Sequence, residues 1–437
     1  MVPRADRRVR AIRARRRAVP GDCGRRDRGS ARCSRGRRIG AHACPRRRGG
    51  RIVKVLIIGG RRYLGPRLVH ALLVRGHEPV LFNRGRSNAP LPVDRPVREI
   101  RGDRNRPGDL ASVVEEESFD AVVDTQAFGA DDTEPVVRTL SGRIGRYLVI
   151  SSVACYGRLL RVPADETHPY TDDARAFPGG GNDYAVGKRD VEQIVLAAHR
   201  ESGFPAIIIR PSVSYGYGRL FSVWGYSNRH VDRIRKGRAV IAPDTGEGLI
   251  QPVYIDDEAE VIVLALETDG SLGEAFNCAG PVAVPLWQYF RAHADALGLP
   301  VEVVEIPAAF LGGFDPMRCT RASENLVFNH AYDVLKLKRV LGFEHRFGLE
   351  AGLAATIAFQ DQWHLIEPSE ADDPDDRLIG AWQTRGNGDP AALGEQARRA
   401  CGHEPGPIPL TPWAPDHYRP APHQVRPDGE PRGPRVK

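Results

Sequence analysis

A short apolar run that ends in two glycines and opens a helix constrains the fold of this chain more than any other stretch. VKVLII (53–58) is almost continuously apolar, the pattern of a strand covered on both faces. It ends at Gly59-Gly60. PRLVHALLVRG (66–76) then sets Leu68 with Leu72 and Val69 with Leu73 at helical spacing, with Pro66 in the first turn and Gly76 after the last. Further strands are expected at 78–83, 95–103, 119–125, 146–152 and 205–211, and helices over 109–117, 132–141 and 184–202. Strands alternating with helices in this way predict an α/β fold, a doubly wound parallel sheet with right-handed crossovers, over 53–211. After Arg210 the rhythm breaks. Residues 212–367 mix short strands, Gly and Pro loops and a few helices, one near 349–363, as expected of a smaller mixed substrate-binding region with elements returning to the body.

The charge of the chain is concentrated at its start. The formal balance is +8 over 437 residues, but residues 1–52 alone hold 19 Arg, no Lys and three acids, a net of +16. The other 385 residues therefore carry −8. An acidic body argues against nucleic acid as a partner, because phosphate contacts need positive faces. The head has no hydrophobic stretch of a secretory signal and no amphipathic spacing. Arg outnumbers Lys 57 to 6, a sign of GC-rich coding DNA. We therefore expect the head to be translated leader, disordered, with the protein proper beginning at Val53; a basic RNA-binding arm is the alternative. From 368 to 437 the chain is first acidic (SEADDPDD) and then Pro-rich, with ten prolines in 401–437, and is expected to be an extended or disordered extension. No apolar run is long enough to span a membrane. Seven cysteines without a CxxC pair exclude a disulfide scaffold and a zinc ribbon, and the 13 histidines show no paired ligand spacing, so no metal site and a cytoplasmic location are expected.

The residues with chemistry fall at strand ends. Gly59, Gly60, Arg61, Arg62, Tyr63, Leu64 and Gly65 form the first strand-to-helix turn, where glycines admit a pyrophosphate to the backbone and the helix N-terminus favours its charge. A plain turn at a strand end is the alternative; its place after a buried strand and before a helix favours the phosphate-binding turn of a Rossmann domain. At the end of the second strand stand Asn83 and Arg84 with no acid for a ribose hydroxyl; an arginine there neutralises a 2′-phosphate, so NADP is favoured, with NAD as the alternative. Asp103 after the third strand is placed at the adenine pocket, and Thr125 at the end of the fourth strand joins the cofactor set. Tyr184 and Lys188 are spaced i, i+4 on one helix face. The ammonium favours the phenolate, which is otherwise formed only near pH 10, and the lysine also reaches the nicotinamide ribose. Ser152 closes the fifth strand and faces the same crevice, where its hydroxyl would hold the substrate oxygen. A surface Tyr/Lys pair is the plain alternative for YAVGK alone; the glycine turn and Ser152 make the combination specific.

With these residues in place the chain resembles an extended short-chain dehydrogenase/reductase of the NAD(P)-dependent epimerase/dehydratase family. SSVACYG, YAVGK, RPSVSYG (210–216), QPVYIDDEA (251–259), FNCAG (276–280) and more loosely LKRVLGF (337–343) carry the likeness, over about residues 53–360. The resemblance implies Ser152, Tyr184 and Lys188 as the catalytic triad. It also implies Pro211 and Ser212 beside the nicotinamide, Asp257 as the acid opening the following helix, hydride transfer at a hydroxyl or carbonyl of a sugar or nucleotide-sugar-like substrate, and a homodimer. Two positions depart from the family pattern. Arg62 replaces the second glycine of the turn, as in an atypical branch that includes chloroplast stem-loop RNA-binding proteins. Ile250 stands where epimerases commonly carry an arginine for the sugar diphosphate, leaving Arg219, Arg229 and Arg233 as substitutes. The alternatives are therefore a catalytically silent nucleotide-sensing or RNA-binding relative, and a reductase of non-sugar carbonyls. Cys155, Cys278, Trp224, Tyr226 and Trp287 are expected chiefly as packing residues.

Overall fold

The computed structural model describes residues 53–86, 96–172, 182–315, 326–371 and 373–402; the readings of the head and of 403–437 lie outside this range. In chain order the first half runs β1 (Lys54–Ile58), α1 (Leu64–Val74), β2 (Glu78–Asn83), β3 (Arg98–Arg101), α2 (Pro107–Glu116), β4 (Ala121–Asp124), α3 (Ala130–Leu140), β5 (Arg146–Ile150), α4 (Asn182–Ser202) and β6 (Ala206–Pro211). Val55 to Ile58 on β1 and Ile207 to Ile209 on β6 are buried, as continuous apolar strands between two helical layers must be. Each such side chain removed from water contributes about 1.5–3 kcal/mol.

The second half adds β7 (Ser214–Tyr215), α5 (Arg229–Arg235), β8 (Val240–Pro243), β9 (Leu249–Ile250), β10 (Val253–Tyr254), α6 (Ile255–Glu267), β11 (Ala275–Cys278), β12 (Val284–Pro285), α7 (Leu286–Leu297), β13 (Val303–Ile306), α8 (Ala308–Phe314) and α9 (Leu349–Gln362). Seven strands pair in the order β11-β6-β5-β4-β1-β2-β3, every neighbour parallel. The order reverses beside β1, which creates a crevice at the strand C-termini between β1 and β4. Short strands form the pairs β7–β10, β8–β13 and β9–β12 outside this sheet. The substrate-side region is therefore interleaved with the sheet, because β11 returns to extend it.

One expectation fails. The acidic stretch after residue 368 is not extended throughout: α10 (Pro374–Thr384) and α11 (Pro390–Cys401) follow it. The reason is a partner far upstream. Arg233, 1% exposed, donates to Asp373 at 2.6 Å and to Asp376 at 2.8 Å, while Asp373 also caps α10 by accepting from the Asp376 amide. Leu378 and Ile379 join the same core as Tyr289, Phe310 and Phe314. Gly394 lets α11 cross α8 closely, since a Cβ there would meet the Phe310 carbonyl oxygen at 2.2 Å. Charges read as solvated are thus neutralised in pairs. Arg233 itself is structural and is removed from the candidate substrate residues.

Candidate functional site

The glycine turn is shaped by close backbone approach. Tyr63 adopts φ 52° and serves as the residue before α1, so the helix opens at Leu64, two residues earlier than its apolar pattern suggests. Gly65 then lies against Gly60: a Cβ on Gly65 would stand 2.3 Å from the Gly60 carbonyl. Any side chain would push the helix N-terminus away from the strand end. Thr125 Oγ1 donates to the Ile58 carbonyl at 2.8 Å and ties β4 to β1 at the floor of the crevice.

A cavity of about 480 Å³ opens above this turn, lined by Gly59, Gly60, Arg62, Asn83, Arg84 and Asp103 among others. The expected cofactor residues after β1, β2 and β3 therefore do converge. Their side chains divide into two sets. Arg61 is committed to Glu99 of β3, its Nε 3.1 Å from Oε1 and Nη2 2.5 Å from Oε2, and Asn83 donates to the same carboxylate while accepting from the Gly85 amide. Arg61 and its hydrogen bonds, with Asn83, hold the Glu99 carboxylate below its usual range. Arg61 is thus corrected from a free phosphate ligand to a braced wall residue. Arg62, Arg84 and Arg86 are exposed at the cavity and make no ion pair among the described residues. Asp103 Oδ1 accepts from the Asn105 amide at 3.1 Å and shapes its own turn. The pattern gave no hint of Arg104, which crosses from the third strand's loop to the buried Asp124 at 2.6 Å.

The Ser/Tyr/Lys group adjoins that lining through Phe128, against which Lys188 packs; none of its three residues lines the cavity itself. Gly187 brings α4 against the loop after β4, where a Cβ would meet the Phe128 carbonyl oxygen at 2.1 Å. Lys188, 3% exposed, reaches through and donates to the Ala127 and Ile150 carbonyls at 2.7 and 2.8 Å. Its Nζ sits 4.8 Å from the Phe128 ring centre and 5.7 Å from that of Tyr184. Burial pulls the Lys188 ammonium down to about 8. Ser152 ends the extension of β5, its hydroxyl accepting from the Ala154 amide at 3.2 Å, and its side chain acts to lower the Tyr184 phenol. The Tyr184 residue keeps 46% of its surface exposed, yet desolvation of its hydroxyl pushes it up to about 12, with Ser152 opposing. At neutrality this phenol carries its proton.

A buried layer behind the group escaped the motif reading. Glu192, one turn beyond Lys188 on the same face of α4, accepts from Ser151 Oγ at 2.5 Å, from Tyr170 Oη at 2.9 Å and from Arg210 Nη2 at 2.6 Å. Arg210 also donates to Tyr156 Oη at 2.6 Å, and Tyr156 donates to Asn277 at 2.7 Å. The i, i+4, i+8 spacing of Tyr184, Lys188 and Glu192 was the available signal. Ser212 donates to the Gln251 carbonyl at 2.5 Å beside Pro211, and Asp257 accepts the Arg346 and Phe347 amides. Arg229 pairs with Glu367 at 3.5 Å. Trp224, Cys155 and Cys278 are buried, as packing residues are.

The sequence profile of the NAD dependent epimerase/dehydratase family matches residues 55–279, more than half of the chain. A 2′-dehydrokanamycin reductase of Streptomyces kanamyceticus is 28% identical over 257 residues, covering 59% of this chain and 70% of that protein. A chloroplast stem-loop binding protein of 41 kDa (form b) of Arabidopsis thaliana is 26% identical over 317 residues, 69% of this chain and 77% of its own length. In structure, the dTDP-glucose 4,6-dehydratase of Bacillus anthracis in complex with NAD superposes with TM-score 0.56 at 18% identity, over 71% of this chain and 96% of that one. Among the described residues no helix is long and apolar enough to cross a membrane.

Proposed function

The chain belongs to the NAD-dependent epimerase/dehydratase family, and on that footing we propose that it is an NADP-preferring oxidoreductase that interconverts a hydroxyl and a carbonyl on a sugar-like substrate. The observation that carries this reading is that Lys188, its Nζ 5.7 Å from the Tyr184 ring centre, packs 4.8 Å from the ring centre of Phe128, a lining residue of a glycine-floored cavity whose Arg62, Arg84 and Arg86 make no ion pair among the described residues. The cavity fits a dinucleotide: Gly65 clears the helix N-terminus for a pyrophosphate, and Arg84 with Arg62 or Arg86 supplies the charge a 2′-phosphate needs. When bound, the nicotinamide supplies or removes the hydride at the reacting carbon.

The chain's own residues handle the oxygen and its proton. Ser152 donates to the substrate oxygen and fixes its place. In the reducing direction the Tyr184 O–H bond breaks and a new O–H bond forms on the substrate oxygen, so a carbonyl becomes a hydroxyl. A phenol that stays protonated at neutrality is suited to this donation. Lys188 holds the cofactor ribose and stabilises the phenolate left behind. A second reading, reduction of a non-sugar carbonyl, is favoured by Ile250, which puts no charge where a sugar diphosphate would be gripped.

The test pairs turnover with binding. NADPH consumption is followed across a panel of keto-sugars, sugar nucleotides and 3-oxo acids, and Tyr184→Phe is compared with the wild type. Loss of roughly 10²–10⁴ in kcat with NADPH affinity unchanged supports the assignment. Retained turnover discards Tyr184 as the proton donor.

A further inference from the structure

Two tight turns after β7 bring an arginine to Tyr63 of the glycine turn. Gly216 and Arg219 exchange backbone hydrogen bonds at 3.0 and 2.9 Å, and Ser222 and Gly225 do the same at 2.8 and 3.0 Å. Gly216 adopts φ 135°, and a Cβ there would meet Ile255 at 2.7 Å, so only glycine lets the first turn lie this close to α6. The two turns fold Arg219 against Tyr226, its guanidinium carbon 3.1 Å from that ring centre, and against Tyr63 of the glycine turn at 4.4 Å. Aromatic faces on both sides fix the guanidinium plane and its direction. Arg219 also lies within electrostatic reach of the Tyr184 phenol.

This cation lacks an anion. No carboxylate among the described residues pairs with Arg219, and its Nε is a buried donor without a partner. Glu258 of α6 acts on Tyr63 and on Arg219, but it is buried, makes no ion pair with the arginine and is raised to about 7 by desolvation, which outweighs the arginine's opposing charge. A half-buried guanidinium held rigid and unpaired loses the interactions it would have in water. A ligand oxyanion restores them with a planar fork of donors.

We propose that Arg219, clamped between Tyr63 and Tyr226, is a specificity-determining residue that selects substrates bearing a carboxylate or phosphate close to the reacting carbon. The inference rests on the oxidoreductase reading and narrows its substrate class to acidic hydroxy or keto compounds. Arg229 and Arg233, which are paired with Glu367, Asp373 and Asp376, take no part in it.

Isothermal titration of the NADPH-loaded full chain with glucuronate, glucose 6-phosphate and glucose tests it. The expected result is that one or both acids bind at least roughly tenfold more tightly than glucose, as a charge-assisted hydrogen bond would give. The arms separate the two oxyanions from each other. Arg219→Gln removes the preference, and Arg219→Lys keeps part of it, with melting temperature and NADPH affinity as controls for folding. Should Arg219→Gln fail to fold, Tyr226→Leu, which removes one clamp, lowers the preference in its place. Equal affinities for acid and neutral sugar, no binding by either acid, or a preference that survives Arg219→Gln overturns the assignment of Arg219 while leaving the oxidoreductase reading intact. A wild type that binds no NADPH overturns both.

Discussion

Replacing Glu192, Arg210 or both by methionine measures how strongly α4 is tied to the sheet. Both side chains are buried, with 0% and 3% exposure. Glu192→Met takes from Arg210 its countercharge and the carboxylate bonds of Nε and Nη2, leaving Nη2 with Tyr170 Oη and Nη1 with Tyr156 Oη and the Glu166 carbonyl. Arginine does not release its proton in a protein, so the variant strands a buried cation at a cost of about 3–5 kcal/mol. Arg210→Met strands a carboxylate that still has Ser151 and Tyr170 as donors and is able to take up a proton, which puts it near about 3 kcal/mol. The double variant leaves hydroxyls and the Glu166 carbonyl to be rehoused, at about 1 kcal/mol each, and Tyr156 keeps Asn277. Its loss should therefore fall short of the sum of the single losses by at least about 2 kcal/mol. Urea unfolding followed by far-ultraviolet circular dichroism on the four proteins gives the cycle. Losses that simply add would refute the reasoning, because they would mean the two charges do not depend on each other.

Arg84→Ala should weaken NADPH by roughly ten- to a hundredfold and NADH far less, read by nucleotide fluorescence titration; equal losses remove its role toward a 2′-phosphate. Lys188 titrates at about 8 in the fold against 10.5 free. Its burial penalty is fully present below pH 8. It is relieved as pH rises toward 10.5, because the unfolded chain then holds more protons than the folded one, so this residue adds about 3 kcal/mol of stability across that window. The stability difference between wild type and Lys188→Met, from denaturant midpoints at successive pH values, should move toward the wild type by that amount. A difference that stays flat with pH contradicts the assignment.

What could be read from the chain was what depends on neighbours in sequence. β1 and β6 announce themselves because a strand covered on both faces must be apolar throughout, and Tyr184 with Lys188 because a helix puts i and i+4 side by side. Arg61 could not be read in this way: its partner Glu99 is 38 residues on, across two strands, and only the sheet order reveals the pair. The tail misled for the same reason. SEADDPDD looks solvated until Arg233, 140 residues earlier, is seen to lie under Asp373. Arg219 was one of three equivalent arginines in the sequence; tertiary packing alone distinguishes the one stacked on Tyr63 and Tyr226 from the two spent on ion pairs.

The paired turns at 216–219 and 222–225 stand outside the seven-stranded sheet, whereas Ser152, Tyr184 and Lys188 are fixed to it through β5 and α4. On the proposed roles, the arginine that would read the substrate and the groups that would move its proton sit on different elements, joined through Tyr63 of the glycine turn. A graft of residues 216–228 from a relative would therefore bring in only half of the grip on that arginine, and Tyr63 would have to suit the newcomer.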